Sequence, residues 1–300
     1  MRRDMAAIAD HFVTAPDGLR LHVREWGERT ASGLPVVCLP GLSRTAEDFE
    51  TLGAALASDA NRPRRVLALD YRGRGRSDHD SDPAHYSVAV ELDDVLAVLT
   101  ARAVPSAVII GTSRGGLITM MLGAVRPSVI AGVVLNDIGP VIEPQGLVRI
   151  KSYVGKLPQP RDVAEGAEIL RRTSGGRFPG LGEADWRAAA RRTWHEQDGR
   201  LVLAYDPQLA RTLATFDPDQ PLPALWPQFD ALAHVPMMVI RGANSDILSA
   251  GTVAAMRARR HEMTILEVPD QGHAPLLAEP ETIASIAAFI GECERQRGLG

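Results

Sequence analysis

The chain has 300 residues, which suits one large α/β domain or a domain that carries an insertion. Its hydrophobic fraction of 45% and charged fraction of 23% are ordinary for a soluble globular protein, and no stretch approaches the roughly eighteen uninterrupted apolar residues of a membrane span. The formal net charge of -4 is mild, so we expect neither nucleic acid nor a membrane to be the main partner.

The N-terminus and the cysteines bear on where the protein resides. The first ten residues lack the long apolar run of a secretory signal peptide. The two cysteines are Cys38, within an apolar strand pattern, and Cys293, near the C-terminus. Because so few cysteines suit a reducing compartment, we expect a cytoplasmic protein. No Cys or His spacing is typical of a metal site, and we predict neither a metal nor an organic cofactor.

Strand and helix patterns alternate along most of the chain. The turn Pro16-Asp17-Gly18 predicts a hairpin. Further strands are predicted over residues 34–39, 65–69, 107–110, 130–135, 235–242 and 263–268, and helices over residues 46–58, 87–103, 250–259 and 279–293. This order predicts an α/β fold with a mostly parallel, doubly wound sheet of about eight strands, to which the hairpin adds an antiparallel edge.

Residues 139–233, called the insertion below, interrupt the alternation. They contain three of the four tryptophans (Trp186, Trp194 and Trp226), a series of prolines and short amphipathic pieces with helical spacing. We predict a helical lid inserted after the sixth strand, between two parts of a core domain at residues 1–138 and 234–300. The alternative is a surface insertion whose tryptophans form only its own core.

The pattern Gly111-x-Ser113-x-Gly115 stands between an apolar strand and an apolar helix. A serine on such a sharp strand-to-helix turn has an exposed hydroxyl, and glycines on either side allow close approach of neighbouring backbone. The N–H groups at the start of the following helix suit a developing oxyanion. We therefore predict that Ser113 is a nucleophile.

A nucleophilic serine needs a base, and the base needs a carboxylate that orients it. His273 follows the last predicted strand, and Asp246 follows the strand before it. The order Ser113, Asp246, His273 is expected when such a serine turn lies in this topology. A rival acid is Asp137, which follows the strand over residues 130–135; we favour Asp246 because a glycine and three further residues separate it from its strand.

These motifs, with Gly272-His273 near the end, resemble the α/β-hydrolase superfamily and, within it, the lid-bearing bacterial hydrolases and esterases. The resemblance covers almost the whole chain outside the insertion. It includes the family's D-x-R-G-x-G-x-S loop at residues 70–77, whose three arginines we expect to lie on a solvated turn. It implies the α/β-hydrolase fold and a Ser113–His273–Asp246 triad.

Two backbone N–H groups would form the oxyanion hole. One belongs to Arg114, the residue after the nucleophile, and we assign the other to Leu42, in the loop after the third strand. Where the family usually has His-Gly, this chain has Leu39-Pro40-Gly41-Leu42. The Arg114 side chain has two interpretations, attraction of an acidic substrate or an ion pair with a nearby acid.

The predicted activity is hydrolysis of a carboxylic ester of a small or medium apolar substrate by acyl transfer. Alternatives on the same triad are lactone hydrolysis, carbon–carbon hydrolysis of a ring-cleavage product and cofactor-free perhydrolysis. A non-catalytic ligand receptor on the same fold is the alternative from another class. The expected partner is a small-molecule acyl substrate, and the protein is expected to be a monomer or a homodimer.

Overall fold

The structure is a computed structural model that describes residues 7–299. The predicted absence of a signal peptide concerns mainly residues 1–6, which lie outside this range. None of the helices in the described range is long and apolar enough to cross a membrane.

Outside the insertion, strands and helices follow one another in the order that the sequence pattern predicts. The strands in the described range are β1 (Ile8–Thr14), β2 (Arg20–Trp26), β3 (Val36–Leu39), β4 (Val66–Leu69), β5 (Ala107–Thr112), β6 (Ile130–Asn136), β7 (Trp194–Gln197), β8 (Arg200–Leu203), β9 (Met237–Gly242) and β10 (Thr264–Val268). The α-helices are α1 (Glu50–Ala57), α2 (Val88–Ala101), α3 (Arg114–Val125), α4 (Pro144–Tyr153), α5 (Val163–Ser174), α6 (Glu183–Thr193), α7 (Trp226–Asp230), α8 (Ala250–Arg259) and α9 (Pro280–Gln296).

Eight strands form one sheet in the order β1-β2-β4-β3-β5-β6-β9-β10. The pairs β1–β2 and β2–β4 are antiparallel, and every other pair in this sheet is parallel. All residues of β3, β4 and β6 are buried, as expected for strands with helices on both faces. The predicted fold class is confirmed, including the antiparallel edge that the hairpin adds.

Alternate residues of the central strands face two different apolar layers. Val37 and Ile109 belong to the cluster that includes residues of α2, α3 and α8. Val36 and Ile110 belong to a second cluster, with residues of α1 and α9. Because side chains alternate across a strand, this division shows that helices cover the sheet on both faces.

The chain leaves the sheet between β6 and β9, where it forms α4 to α7 and the β7–β8 hairpin. Phe178, Trp186 and Trp194 are buried in a small core of the insertion itself. The hairpin was not predicted; its turn residues Asp198 and Gly199 have φ angles of 51° and 73°, the left-handed values of a tight two-residue turn. The boundaries at residues 138/139 and 233/234 stay a prediction.

The carboxylate of Glu294 in α9 binds residues that lie just before β3 and β4, and so connects the last helix to the sheet. Its side chain is fully buried, and it accepts hydrogen bonds from Arg64 Nε at 3.0 Å, Arg64 Nη2 at 2.9 Å and the Leu34 backbone N–H at 2.9 Å. Burial alone would raise the pKa of Glu294, but the hydrogen bonds and charge of Arg64 lower it below its ordinary value.

We expect Glu294→Gln to reduce the free energy of unfolding at pH 7 by about 3 kcal/mol, because the buried Arg64 loses its bidentate carboxylate partner and keeps only Asp59, at 3.3 Å. Since the folded-state pKa of Glu294 is depressed, its stabilising contribution is complete above the unfolded pKa of about 4.3 and is lost as pH falls through the folded value. Urea unfolding followed by circular dichroism, from pH 7 down to pH 3, measures the difference. It should shrink with acidification.

The half-exposed Glu292, two residues earlier in the same helix, provides the matched control. Glu292→Gln should change stability little, because surface ion pairs contribute little. Equal losses in the two variants would contradict the importance of the buried contact.

Candidate functional site

The turn between β5 and α3 presents Ser113. Its φ of 51° and ψ of −111° are a strained combination for a residue with a side chain, and its backbone N–H donates to the Asn136 carbonyl at 3.0 Å. A Cβ atom on Gly115 would lie 2.1 Å from the Leu39 carbonyl oxygen, and one on Gly111 would lie 2.6 Å from the Gly115 carbonyl oxygen. Both glycines are therefore required for the close packing that the pattern predicted.

His273 lies in the loop between β10 and α9, and it joins the serine to a carboxylate. Its Nε2 is 2.8 Å from Ser113 Oγ, and its Nδ1 is 2.8 Å from Asp137 Oδ2. An ionised carboxylate only accepts hydrogen bonds, so Nδ1 of the imidazole carries a proton and Nε2 of the neutral ring accepts from the serine hydroxyl. His273 and Asp137 are both almost completely shielded from solvent.

Asp137 holds the position beside His273 for which Asp246 was favoured. It is the first residue after β6 and is completely buried. Its Oδ1 accepts from the Gly242 backbone N–H at 2.8 Å, and its Oδ2 accepts from Ser245 Oγ at 2.5 Å in addition to His273. Four loops after β5, β6, β9 and β10 thus meet at one edge of the sheet.

Asp246 has a different partner, which corrects the expectation that it orients His273. Its carboxylate accepts from Arg149 Nε at 2.5 Å and from Arg149 Nη2 at 2.7 Å. Burial would raise the pKa of Asp246, but the hydrogen bonds and charge of Arg149, with weaker effects of Arg177 and His273, lower it. The pair joins α4 of the insertion to the loop after β9.

The sequence contains little information on which of the two aspartates contacts His273, because both follow strands of the sheet. Asp137 follows its strand at once, whereas Asp246 comes four residues after Gly242, the last residue of β9. The decisive partner of Asp246 is Arg149, which belongs to the insertion, and no local pattern joins these two residues. Ser245, which donates to Asp137, was missed for the same reason.

The loop after β3 lies beside the serine, as an oxyanion hole there would require. A Cβ atom on Gly41 would be 3.8 Å from Ser113 Cβ. Within residues 7–299, the backbone N–H groups of Leu42 and Arg114 donate to no protein acceptor, so both remain available to a ligand. Arg74 Nε donates to the Leu42 carbonyl at 2.8 Å and supports the loop from behind.

The arginines of residues 70–77 differ from the expected solvated turn. Arg72 and Arg74 are buried, and Arg72 forms a bidentate pair with Asp94 at 2.7 and 2.6 Å. Only Arg76 is half exposed. Burial of a guanidinium requires such partners, and they come from α2 and from distant loops, which the local sequence does not reveal.

The Arg114 side chain forms an ion pair and does not line the cleft. Its Nε donates to Glu91 Oε2 at 2.6 Å, and its Nη2 donates to the Tyr86 carbonyl at 2.9 Å. Glu91 is completely buried in α2 and also pairs with Arg74 at 2.7 Å. Of the two interpretations of Arg114, the ion pair describes the structure.

A cavity of about 200 Å³ opens beside Ser113 and His273. The insertion supplies most of its apolar wall, through Ile150, Tyr153, Leu157, Leu170, Phe178, Leu181 and Trp186. Trp186 thus both belongs to the core of the insertion and lines the cavity, whereas Trp194 and Trp226 do not line it. Charged residues also line the cavity, namely Arg44, Asp48, Arg149 and Arg192.

One group with metal-ligand side chains lies away from this cavity. Ligand atoms of Asp17, Asp80 and His85 lie within 4.8 Å of one another. Arg72 Nη1 donates to Asp17 at 2.8 Å and to Asp80 at 2.6 Å, so a guanidinium already neutralises these carboxylates. The arrangement suits an ion-pair network rather than a cation site.

Comparison with known proteins finds relatives that are named hydrolases and a solved structure with the same fold. The 3-hydroxybutyrate-oligomer hydrolase of Cupriavidus necator is 36% identical over 92% of this chain and 94% of its own length. The 2-(acetamidomethylene)succinate hydrolase of Mesorhizobium japonicum is 26% identical over 96% of this chain and 99% of its own length. The crystal structure of an alpha/beta hydrolase from Novosphingobium aromaticivorans superimposes with a TM-score of 0.87 at 42% identity, and the match covers 96% of this chain and 99% of that one.

The match to the family model is equally extensive. The model of the Alpha/beta hydrolase family covers residues 36–286, which include the serine turn, both aspartates and the histidine. With a long family match, relatives that are named hydrolases and a fold shared over almost the whole chain, this protein is an enzyme of the hydrolase class and belongs to the Alpha/beta hydrolase family.

Proposed function

We propose that this hydrolase cleaves carboxylic esters by acyl transfer through Ser113, His273 and Asp137. The observation that carries the proposal is the continuous hydrogen-bonded chain from Ser113 Oγ through the His273 imidazole to the buried Asp137 carboxylate, with both contacts of the imidazole at 2.8 Å. A serine hydroxyl is a poor nucleophile at neutral pH, and this arrangement is the one that activates it.

The first half of the reaction forms an acyl-enzyme. His273 Nε2 takes the hydroxyl proton as Ser113 Oγ attacks the ester carbonyl carbon, and Asp137 stabilises the imidazolium that results. The backbone N–H groups of Leu42 and Arg114 donate to the tetrahedral oxyanion. When the intermediate collapses, the bond to the alcohol oxygen breaks, and His273 donates its proton to the departing alcohol.

The second half releases the acid. His273 accepts a proton from water, whose oxygen attacks the acyl carbon, and the same N–H groups bind the second oxyanion. Collapse returns the proton to Ser113 Oγ and frees the carboxylic acid. The residues described here suffice for both halves of this reaction.

The substrate is proposed to be an ester with short to medium apolar groups. A cavity of about 200 Å³ with an apolar wall suits such groups. The relative from Cupriavidus necator is named for hydrolysis of 3-hydroxybutyrate oligomers, which are short linear esters, and its similarity covers nearly the whole chain. We therefore propose oligomers of short hydroxy acids as the substrate class.

The other activities on this triad lack a specific supporting observation. Attraction of an acidic ring-cleavage product by Arg114 has no support, because its side chain pairs with Glu91 at 2.6 Å. A purely ligand-binding role gives no reason for a serine held at 2.8 Å from a histidine.

Replacement of the nucleophile tests the proposal directly. We expect the wild type to hydrolyse p-nitrophenyl esters from acetate to decanoate with an optimum at short or medium chain length, because the cavity is small. Ser113→Ala should lower kcat/KM by at least ~10³-fold, since the residual oxyanion site alone catalyses weakly. Release of p-nitrophenol is the measurement.

A serine far from the site serves as the matched control. Ser285 is partly exposed on α9, away from the cavity, and donates to the Glu281 carbonyl, so Ser285→Ala should leave kcat/KM unchanged. A serine-directed phosphonate should label the wild type and this control but not Ser113→Ala. Equal turnover by wild type and Ser113→Ala would refute a serine mechanism.

A second pair of variants tests which aspartate orients His273. Asp137→Asn should lower kcat by about 10³-fold or more, because an amide at this position no longer holds the correct tautomer or stabilises the imidazolium. Asp246→Asn should change kcat by less than about tenfold, since Asp246 bonds to Arg149 rather than to His273. Steady-state kinetics on one p-nitrophenyl ester gives both values.

Thermal unfolding of both variants separates catalysis from stability, because each replacement breaks a hydrogen-bonded contact. The opposite ranking, with the larger kcat loss in a folded Asp246→Asn, would restore Asp246 as the acid.

A further inference from the structure

The cavity wall contains a cluster of three charged side chains whose charges do not sum to zero. Arg44 from the core and Arg192 from α6 both approach the single carboxylate of Asp48. Arg44 Nε is 2.6 Å from Asp48 Oδ2, and Arg192 Nε is 3.1 Å from Asp48 Oδ1. Two guanidinium groups and one carboxylate leave a net charge of about +1 on this part of the wall.

The hydrogen bonds of the two arginines differ. Arg44 donates to Asp48 from Nε and Nη2, and from Nη1 to Thr193 Oγ1 at 3.3 Å. Arg192 Nε is buried and, despite its ionic contact, makes no hydrogen bond of acceptable geometry. Within residues 7–299, Nη1 and Nη2 of Arg192 make no hydrogen bond to another protein atom either. This cavity-lining guanidinium therefore has its terminal donors free.

The Arg192 side chain is three-quarters buried, so its free donors lie where a ligand in the cavity can reach them. Burial lowers the pKa of Arg192, as does the neighbouring charge of Arg44, and the carboxylates of Asp48 and Glu47 oppose the effect only in part. Arginine stays protonated at neutral pH all the same. A positive charge beside the apolar wall of Leu170 and Trp186, with unused N–H donors, gains from contact with an anion.

The other arginines near the site are already engaged. Arg149 commits Nε and Nη2 to Asp246 at 2.5 and 2.7 Å. Arg114 is paired with Glu91 outside the cavity. Arg177, whose Nη2 donates to the Thr173 carbonyl at 2.8 Å, does not line the cavity. Arg192 is therefore the residue whose geometry best suits a ligand that carries a negative charge.

We propose that Arg192, supported by Arg44, is a specificity-determining residue that binds the free carboxylate of an acidic ester while Ser113 attacks its ester bond. The proposal rests on the ester hydrolysis proposed above and extends it. A planar guanidinium with two free terminal nitrogens matches a carboxylate in a bidentate pair. The substrates concerned are esters whose alcohol portion is itself a hydroxy acid, so that one end of the molecule is ionised and the rest is apolar.

Linear oligomers of a short hydroxy acid have this composition. Each has one free carboxylate, at the end where the alcohol portion of its last ester bond lies. With this carboxylate on Arg192, the bond at Ser113 is an ester upstream of that end, and the first product to leave is the alcohol that carries the carboxylate. Nothing beyond the acyl transfer already described is required.

The test compares two esters that differ only in charge, 3-(butanoyloxy)butanoate and its primary amide, 3-(butanoyloxy)butanamide. The variants are Arg192→Gln, Arg192→Lys and the control Arg191→Gln. Arg191 is the exposed preceding residue of the same helix, so its replacement removes the same charge outside the cavity. Release of butanoate gives kcat and KM for each ester.

For the acidic ester we expect Arg192→Gln to raise KM by about 10- to 100-fold, the value of one charge-assisted hydrogen-bonded contact, with a smaller change in kcat. Values for the amide should stay within about twofold of wild type, and Arg192→Lys should recover part of the loss. Arg191→Gln should resemble wild type on both esters. Normal turnover of p-nitrophenyl butanoate by each variant would show that the catalytic site is intact.

Three outcomes would overturn the proposal, and they differ from one another. A wild type that hydrolyses the acid and the amide equally well has no carboxylate site. Equal effects of Arg191→Gln and Arg192→Gln would indicate only long-range attraction by charge. A wild type that hydrolyses neither these esters nor p-nitrophenyl butanoate would refute the proposed ester hydrolysis and this inference with it.

Discussion

The site depends on one buried carboxylate, Asp137. A charge without solvent is tolerated in a protein only when hydrogen-bond donors surround it. Here the donors are the Gly242 backbone, the Ser245 hydroxyl and the His273 imidazole, which come from the loops after β9 and β10. The need to satisfy Asp137 therefore brings these loops together and fixes the imidazole ring opposite Ser113.

The core and the insertion contribute different parts of the site. The carboxyl ends of the strands supply the reacting groups, which parallel strands place at one edge of the sheet. The insertion supplies most of the apolar wall and two of the cavity arginines, Arg149 and Arg192. The Arg149–Asp246 pair joins the two parts a short distance from the chemistry. The reacting groups thus lie on the core side of the cavity, and most of the apolar wall lies on the side of the insertion.

Features with a local cause could be predicted from the sequence. Apolar runs predicted the positions of the core strands. The glycine pattern predicted the serine turn, where an added Cβ atom at Gly111 or Gly115 would collide with a backbone oxygen atom. The helix predicted over residues 250–259 coincides with α8. The β7–β8 hairpin was missed, because its strands are only four residues long and largely polar in β7.

Features that depend on contacts between distant residues could not be predicted. The role of each aspartate depends on whether Arg149, 97 positions before Asp246, is within reach. The contact between Arg44 and Thr193, beside Arg192, spans 149 positions. The buried arginines of residues 70–77 likewise find their carboxylates elsewhere in the chain. In each case the partner of a polar group is determined by how the sheet and the insertion pack, and no local sequence pattern reveals it.

The two aspartates have a consequence for how such sites diversify. Asp137 and Asp246 follow the neighbouring strands β6 and β9, and Ser245, which donates to Asp137, directly precedes Asp246 in the chain. The chain therefore has a second carboxylate, Asp246, at the same edge of the sheet as Asp137. Its hydrogen bonds to Arg149 hold it away from a role in orienting the imidazole. In an evolving lineage, loss of that arginine would free the spare carboxylate before the first one changes. The acidic member of a triad can in this way migrate between strands without passing through an inactive ancestor.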